Sequence, residues 1–244
     1  MKMKFLALAV SMGMGLVQAA EVRLLCSNGM KTVVEQVQAG WEKSSGHKLS
    51  IEYSSAGTFR EMISKGAAFD VAILTDSVAD ALVKEGKLAA TPKVVGRGGV
   101  GIGVRKGAAK PDMKAADGLK KFLLAAKSIS YTENGASRPA IDKMFEKMGI
   151  AAQVRSKVQL TPPSEAPERV AAGKAEVVLT LVSEIMPIAG VELVGPLPAE
   201  YQGYVTFTGA LSAKAAQAKA ATQFVEYLAS PALVPVLKSK GLER

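Results

Sequence analysis

Three short polar turns carry the residues best suited to hold a small charged molecule. Ser27-Asn28-Gly29 follows an apolar run from Val22 to Cys26 and precedes apolar residues at Met30, Val33, Val34, Val37 and Trp41. Ser54-Ser55-Ala56-Gly57-Thr58 follows the alternating segment Lys48 to Tyr53 and precedes Phe59, Met62 and Ile63. Thr132 to Pro139 (TENGASRP) follows Ser128 to Tyr131 and precedes Ile141, Met144, Phe145 and Met148. Each pattern predicts a strand running into a helix, because the apolar spacing changes to the helical 3.6. The first N–H groups of such a helix have no partner within it, and the helix dipole makes that end positive. An anion is therefore favoured there. Hydroxyl and amide groups at Ser27, Asn28, Ser55, Thr58 and Ser137 could add donors, and Gly29 and Ala56 leave the backbone open to close approach. Arg138 carries a full charge at a helix start, where it opposes the dipole. It either holds a carboxylate or phosphate with two parallel hydrogen bonds or reaches back into solvent.

Other chemistry has less to build on. The single histidine, His47, follows Ser44-Ser45-Gly46 and is expected in an exposed turn, so neither a histidine metal cluster nor a Ser-His-Asp triad is centred there. Asp76 could serve as a catalytic acid, but Thr75-Asp76-Ser77 after the apolar run Val71 to Leu74 suits a helix cap better. Gly96 to Val104 (GRGGVGIGV) lacks the Lys-Ser or Lys-Thr ending of a phosphate loop and the strand–helix context of a dinucleotide site. It is expected to be a strand with close backbone approach, crossing between domains. Cys26 is the only cysteine, so no internal disulfide can form, and its thiol is expected to be buried. No cofactor and no metal site is expected.

The address of the chain comes from its start. Lys2 and Lys4, an apolar stretch from Phe5 to Val17, and Val17-Gln18-Ala19 form the pattern of a signal peptide, with residues 1–19 removed near Ala19. No stretch is long enough for a spanning helix, so export to the periplasm without membrane insertion is expected. The formal charge of +9 comes from dispersed basic residues, and aromatics make up only 5% of the chain. That excludes the interleaved basic and aromatic surface of a single-strand nucleic-acid binder and fits a surface that collects small anions.

Strands alternating with helices predict an α/β fold with a mostly parallel sheet. Further strands are expected at Val158–Leu160, Ala175–Leu181, Val191–Val194 and Tyr204–Leu211, with closing helices near Ala213–Ala229 and Pro231–Lys240. Thr161 to Pro167 leads into a short helix ending at Gly173.

Taken in order, VRLLCSNGM, IEYSSAGTFREMISKGAAFDVAILTD, SYTENGASRPAIDKMFEKMG and ERVAAGKAEVVL resemble the periplasmic molybdate-binding type of ABC-importer binding protein. The resemblance implies a type II periplasmic-binding-protein fold, α/β and two-lobed, with two crossing strands as hinge. Lobe 1 would be residues 20–103 plus 205–244, and lobe 2 residues 104–204. It also implies a monomer that binds a small anion in the cleft and hands it to a membrane ABC permease. In the molybdate binders two serine hydroxyls and a tyrosine hydroxyl hold the oxyanion. By spacing these places fall at Gly29, Ala56 and Val182, so all three hydroxyls are missing at the matched positions. Arg138 falls where the family usually has a small residue. The departures favour a larger anion, a di- or tricarboxylate, over molybdate, held by Ser27, Asn28, Gly29, Ser55, Ala56, Thr58, Ser137, Arg138, Ala166 and Val182.

The alternative is an enzyme. Some aconitate isomerases are similar to the molybdate binders, and that reaction moves a proton to shift a double bond between trans- and cis-aconitate. It needs a base near an acidic C–H and donors for the developing charge. Glu165 and Glu133, each at a turn expected to face the cleft, are the carboxylates available for it.

Overall fold

A computed structural model describes residues 19–113 and 117–244. The proposed signal segment falls almost wholly outside the described residues. The strands are β1 (Glu21–Ser27), β2 (Lys48–Ser54), β3 (Val71–Thr75), β4 (Lys93–Arg105), β5 (Ile129–Thr132), β6 (Val158–Thr161), β7 (Val177–Leu181), β8 (Val191–Pro196), β9 (Tyr204–Leu211) and β10 (Leu242–Glu243). They lie in the order β2-β1-β3-β9-β4-β7-β5-β6, with β8 and β10 pairing at β4. β1 runs parallel to β2 and β3, and β5 runs parallel to β6 and β7. Two parallel half-sheets thus stand on either side of the antiparallel strands β4 and β9, which is the two-lobed architecture the resemblance implies.

β4 belongs to both halves. Lys93 to Gly99 pair with β9, whereas Val100 to Val104 pair with β7. Its glycines are demanded by contact. A Cβ at Gly101 would stand 2.8 Å from Val182 Cγ2, and one at Gly103 would stand 2.9 Å from both Ile185 Cγ2 and Val178 Cγ1. Gly101 and Gly103 therefore let the helix start at Val182–Ile185 come close against a crossing strand.

The apolar face of the helix Lys31–Ser45, with Val33, Val34, Val37 and Trp41, packs on β1 and on the closing helix Ala218–Leu228. There Trp41 meets Phe224 edge-on at 5.0 Å. His47 departs from the expected exposed turn. It is buried, its Nδ1 accepts the Ala20 N–H at 3.1 Å, and its ring lies 6.0 Å from that of Trp41. The imidazole ties the start of β1 to the helix end, because an aromatic ring that also accepts a hydrogen bond suits a half-apolar corner. Asp76 is the first residue of the helix Asp76–Lys84, with Thr75 in the cap position, and its carboxylate accepts the Thr208 hydroxyl at 3.3 Å. The closing segment is a helix at Ala218–Leu228, a 3-10 turn at Pro231–Leu233 and a helix at Val234–Ser239, shorter than its apolar pattern suggested. Cys26 is buried, and burial, then Glu35, pushes its thiol far above the usual range.

Glu42 locks the helix Lys31–Ser45 to β2. Its carboxylate accepts Lys48 Nζ at 2.7 Å, Gln38 Nε2 at 3.0 Å and the Leu49 N–H at 3.1 Å. The Lys48 bond, then the other two, lowers its pKa from 4.5 to about 2. A lowered carboxylate contributes stability that is present above its unfolded value and is lost as pH falls from about 4.5 toward 2. Because Lys48 is solvent-exposed, screening holds this to about 1 kcal/mol. Glu42→Gln is expected to lower the melting temperature at pH 7 by a few degrees and to leave it unchanged near pH 2. Equal losses at both pH values would show that the ion pair is not the cause.

Candidate functional site

A narrow cavity of about 30 Å³ lies where the two halves meet. Ser27, Ser55, Thr75, Ser137 and Ser164, each the residue just before a helical segment, all line it. Five helix starts therefore border one space. Convergence of this kind supplies positive potential without a cationic side chain. Asn28, Thr132 and Glu184 add polar groups, and Phe207, Leu181, Pro163, Ala56 and Ala136 form apolar wall. Among the lining residues Glu184 alone has an ionisable side chain.

The polar groups are in different states of commitment. Ser55 caps its helix, accepting the Thr58 N–H at 3.1 Å, and its Oγ lies 2.9 Å from Thr58 Oγ1. Ser27 and Ser137 make no capping bond. Ser27 is 3% exposed, and its Oγ has no hydrogen-bond partner among the described residues. A buried hydroxyl at a cavity wall is normally satisfied by something, and an anion's oxygen would serve. Ser164 has φ of +70°, a left-handed conformation unusual for a residue other than glycine. Strain of this kind collects at binding sites, where the surroundings hold it in place.

The halves are closed on one another. The Ser183 hydroxyl, on the segment after β7, donates to the Gly29 carbonyl at 2.9 Å, and both residues are buried. Gly29 also has no room for a side chain. A Cβ there would stand 2.3 Å from Phe207 Cζ and 2.9 Å from Leu181 Cδ1.

Glu184 is partly exposed, and it lines the cavity. Its Oε2 accepts the Thr180 hydroxyl, and the Leu181 backbone N–H also donates to the carboxyl. Burial raises its pKa above the ordinary range, and the two hydrogen bonds oppose that rise without cancelling it.

Residues 22–243 match the family of bacterial extracellular solute-binding proteins. The chain belongs to that family. It is 27% identical over 226 residues to an aconitate isomerase from a Pseudomonas species, covering 90% of this chain and 86% of that protein. It is 26% identical over 246 residues to the molybdate-binding protein ModA of Azotobacter vinelandii, covering 96% of each. The solved periplasmic molybdate-binding protein of Azotobacter vinelandii superposes with a TM-score of 0.78 at 18% identity, over 91% of this chain and 99% of that one.

In this solute-binding protein the expected site residues separate into two groups. Ser27, Asn28, Gly29, Ser55, Ala56 and Ser137 line the cavity. Thr58, Glu133, Arg138, Glu165, Ala166 and Val182 do not. Arg138 turns back on its own helix start, donating from Nη1 to the Glu133 carbonyl at 2.7 Å and from Nε to Asp142 at 3.3 Å. Those acceptors satisfy the guanidinium locally and offset its unfavourable position at the helix dipole. Thr58 is spent on Ser55. Ala166 and Val182 are packed inside, Ala166 against Val170 and Val178 and Val182 beneath Gly101 and Gly241. Glu133 and Glu165 are exposed on the surface. Sequence reasoning passed over Thr75, Thr132, Ser164, Phe207 and Glu184. A signal existed for the last: Val182-Ser183-Glu184 follows the apolar β7 in the same way that Ser27-Asn28-Gly29 follows β1, and it presents an acid at the matching turn.

Proposed function

We propose that the chain captures a small carboxylic acid with two or three carboxylate groups between its halves, which part from the closed arrangement to admit it. It does so in the periplasm, as a monomer, and passes the acid to an ABC permease. The observation that carries the choice of ligand is the two-sided lining. Helix starts and hydroxyls occupy one part of the wall, and Phe207, Leu181 and Pro163 occupy another. A carbon skeleton can lie on the apolar part while its carboxylates meet the N–H groups. A bare tetrahedral oxyanion is polar on every side and gains nothing from an aromatic ring. With Arg138 turned away, the anchor is the set of backbone N–H groups and the hydroxyls of Ser27, Ser137 and Ser164.

A thermal-shift panel on the chain without residues 1–19 tests this, using molybdate, tungstate, sulfate, phosphate, citrate, cis-aconitate and trans-aconitate. A ligand at 100 times its dissociation constant adds about 2.7 kcal/mol, which for a chain of this size is a rise of about 5–10 °C. The carboxylates are expected to give it. A rise with molybdate and tungstate alone would overturn the reading.

A second reading has one observation in its favour, the position of Glu184. Proton transfer needs a carboxyl within reach of the bound molecule. Glu133 and Glu165 lie outside the cavity, whereas Glu184 lines it. Under this reading the chain interconverts the aconitates, with Glu184 replacing Glu133 and Glu165 as the base. Proton NMR of the aconitate samples separates the two readings. Unchanged isomers are expected for a binding protein, and interconversion that ceases in Glu184→Gln would give the second reading precedence.

A further inference from the structure

Glu184 stands on a partition. Asn28, Thr132, Ser164 and Glu184 line the cavity and also a second pocket of about 240 Å³. The charged groups facing Glu184 from that pocket are Lys31 and Glu35 on the helix Lys31–Ser45 and Glu168 on the helix Glu165–Ala171. Lys31 lies 3.9 Å from Glu35, and the two acids Glu35 and Glu168 outnumber the one cation lining that pocket. Among the described residues no other charged side chain lines the cavity. An anion entering the cavity therefore meets an acid with no cation on the cavity side and with more acid than base on the other.

Two negative charges sharing such a space are resolved in the way carboxylate pairs resolve it, by sharing a proton. A protonated carboxyl becomes a donor and can give a hydrogen bond to an oxygen of the anion. We propose that Glu184 takes up a proton when the anion binds and donates it in a hydrogen bond to the anion, so that each anion enters with one proton. This rests on the anion-binding reading above and adds the protonation state of the bound pair. The carboxyl is held in position by the Thr180 hydroxyl and the Leu181 N–H, which leave it capacity for a further bond. The second pocket, lined by the half-exposed side chains of Lys31 and Glu35, gives it a path to solvent apart from the cavity. Burial, which already lifts this carboxyl, acts in the same direction.

The sign follows from linkage. Binding that requires the protonated form is strongest at low pH and weakens by up to about tenfold for each pH unit above the free carboxyl's value. Glutamine at this position keeps a donor N–H and cannot ionise. Calorimetry of wild-type chain and Glu184→Gln with citrate and with trans-aconitate, from pH 6 to 9.5 in two buffers of different ionisation enthalpy, measures affinity and proton uptake together. Glu184→Gln also reports the protons that belong to the ligand itself. The wild type is expected to take up about one proton more than Glu184→Gln and to lose affinity with rising pH. The variant should stay nearly flat and bind more tightly than wild type at pH 9. Wild-type binding with no proton uptake beyond that of the variant anywhere in this range would overturn the proposal and leave the anion-binding reading intact. Loss of binding in Glu184→Gln at pH 6, with its melting temperature retained, would also overturn it, since the ionised carboxylate would then be what the ligand needs. If neither protein binds either acid at any pH, the anion-binding reading itself fails.

Discussion

Gly29→Ser is expected to abolish ligand binding and to destabilise the chain by about 1–3 kcal/mol, and Phe207→Ala in the same chain is expected to restore part of the binding and to cost less stability than it costs alone. The first effect follows from distance. A Cβ at residue 29 would stand 2.3 Å from Phe207 Cζ and 2.9 Å from Leu181 Cδ1, well inside contact. Overpacking of this order costs about 1–3 kcal/mol, or about 2–4 °C of melting temperature per kcal/mol. The Phe207 ring cannot yield without entering the cavity, because the residue is 1% exposed and its ring already forms cavity wall. The second effect follows from volume. Phe207→Ala alone removes a buried ring, at a cost of about 3–5 kcal/mol, but it opens the space that a serine at residue 29 needs. The double variant should be more stable than the sum of the single losses by about 1 kcal/mol or more, as residues in contact couple by that order. It should also respond to molybdate more than wild type does, having exchanged an aromatic wall for a hydroxyl. Melting curves of the four proteins, with and without citrate and molybdate, decide the matter. Strictly additive losses would mean that Phe207 is not what excludes a side chain at Gly29.

The same glycine shows how far the sequence could be read. The strand–turn–helix units at Ser27-Asn28-Gly29, Ser55-Ala56 and Ser137 were legible because each is local: the apolar period changes within a few residues of the polar turn. The crossing role of residues 96–104 was legible for a related reason, since alternating glycines in an apolar run call for a close neighbour on each side. Contacts made by residues far apart in the chain were not legible. Phe207 sits in an ordinary strand pattern, and only the pairing of β9 with β3 and β4 brings its ring against Gly29. Arg138 looked like a ligand anchor because its acceptors, Glu133 and Asp142, differ in kind, one a backbone carbonyl that no side-chain pattern reveals. Glu184 was obscured by the expectation that residue 182 held the matched site position. The turn does reach the cavity, but two residues later and with a carboxyl. Val182 instead fills the gap under Gly101 and Gly241.

Ser183→Ala is expected to weaken ligand binding about 5- to 30-fold while leaving the melting temperature of the unliganded chain within about 2 °C of wild type. The Ser183 hydroxyl donates to the Gly29 carbonyl across the two halves at 2.9 Å, with Ser183 only 2% exposed. This bond exists only while the halves are closed, since Gly29 and Ser183 sit on turns of different half-sheets. In an open arrangement water would pair with both groups. Removing the hydroxyl therefore acts on the closed form, by about 1–2 kcal/mol for the lost bond and the less satisfied buried carbonyl. A ligand that binds the closed form loses affinity in proportion to the closed fraction, and 1–2 kcal/mol corresponds to the stated range. The interior of each half is untouched, which is why stability should hardly move. Most of the change should appear as faster dissociation, because the bond forms after the ligand has entered and must break before it leaves. Small-angle scattering of the unliganded variant should give a larger radius of gyration than wild type, and saturation with ligand should remove the difference. Unchanged affinity together with an unchanged radius would show that the bond accompanies closure without helping to maintain it. A large fall in melting temperature would show instead that Ser183 supports its own half, and that the loss of affinity comes from there.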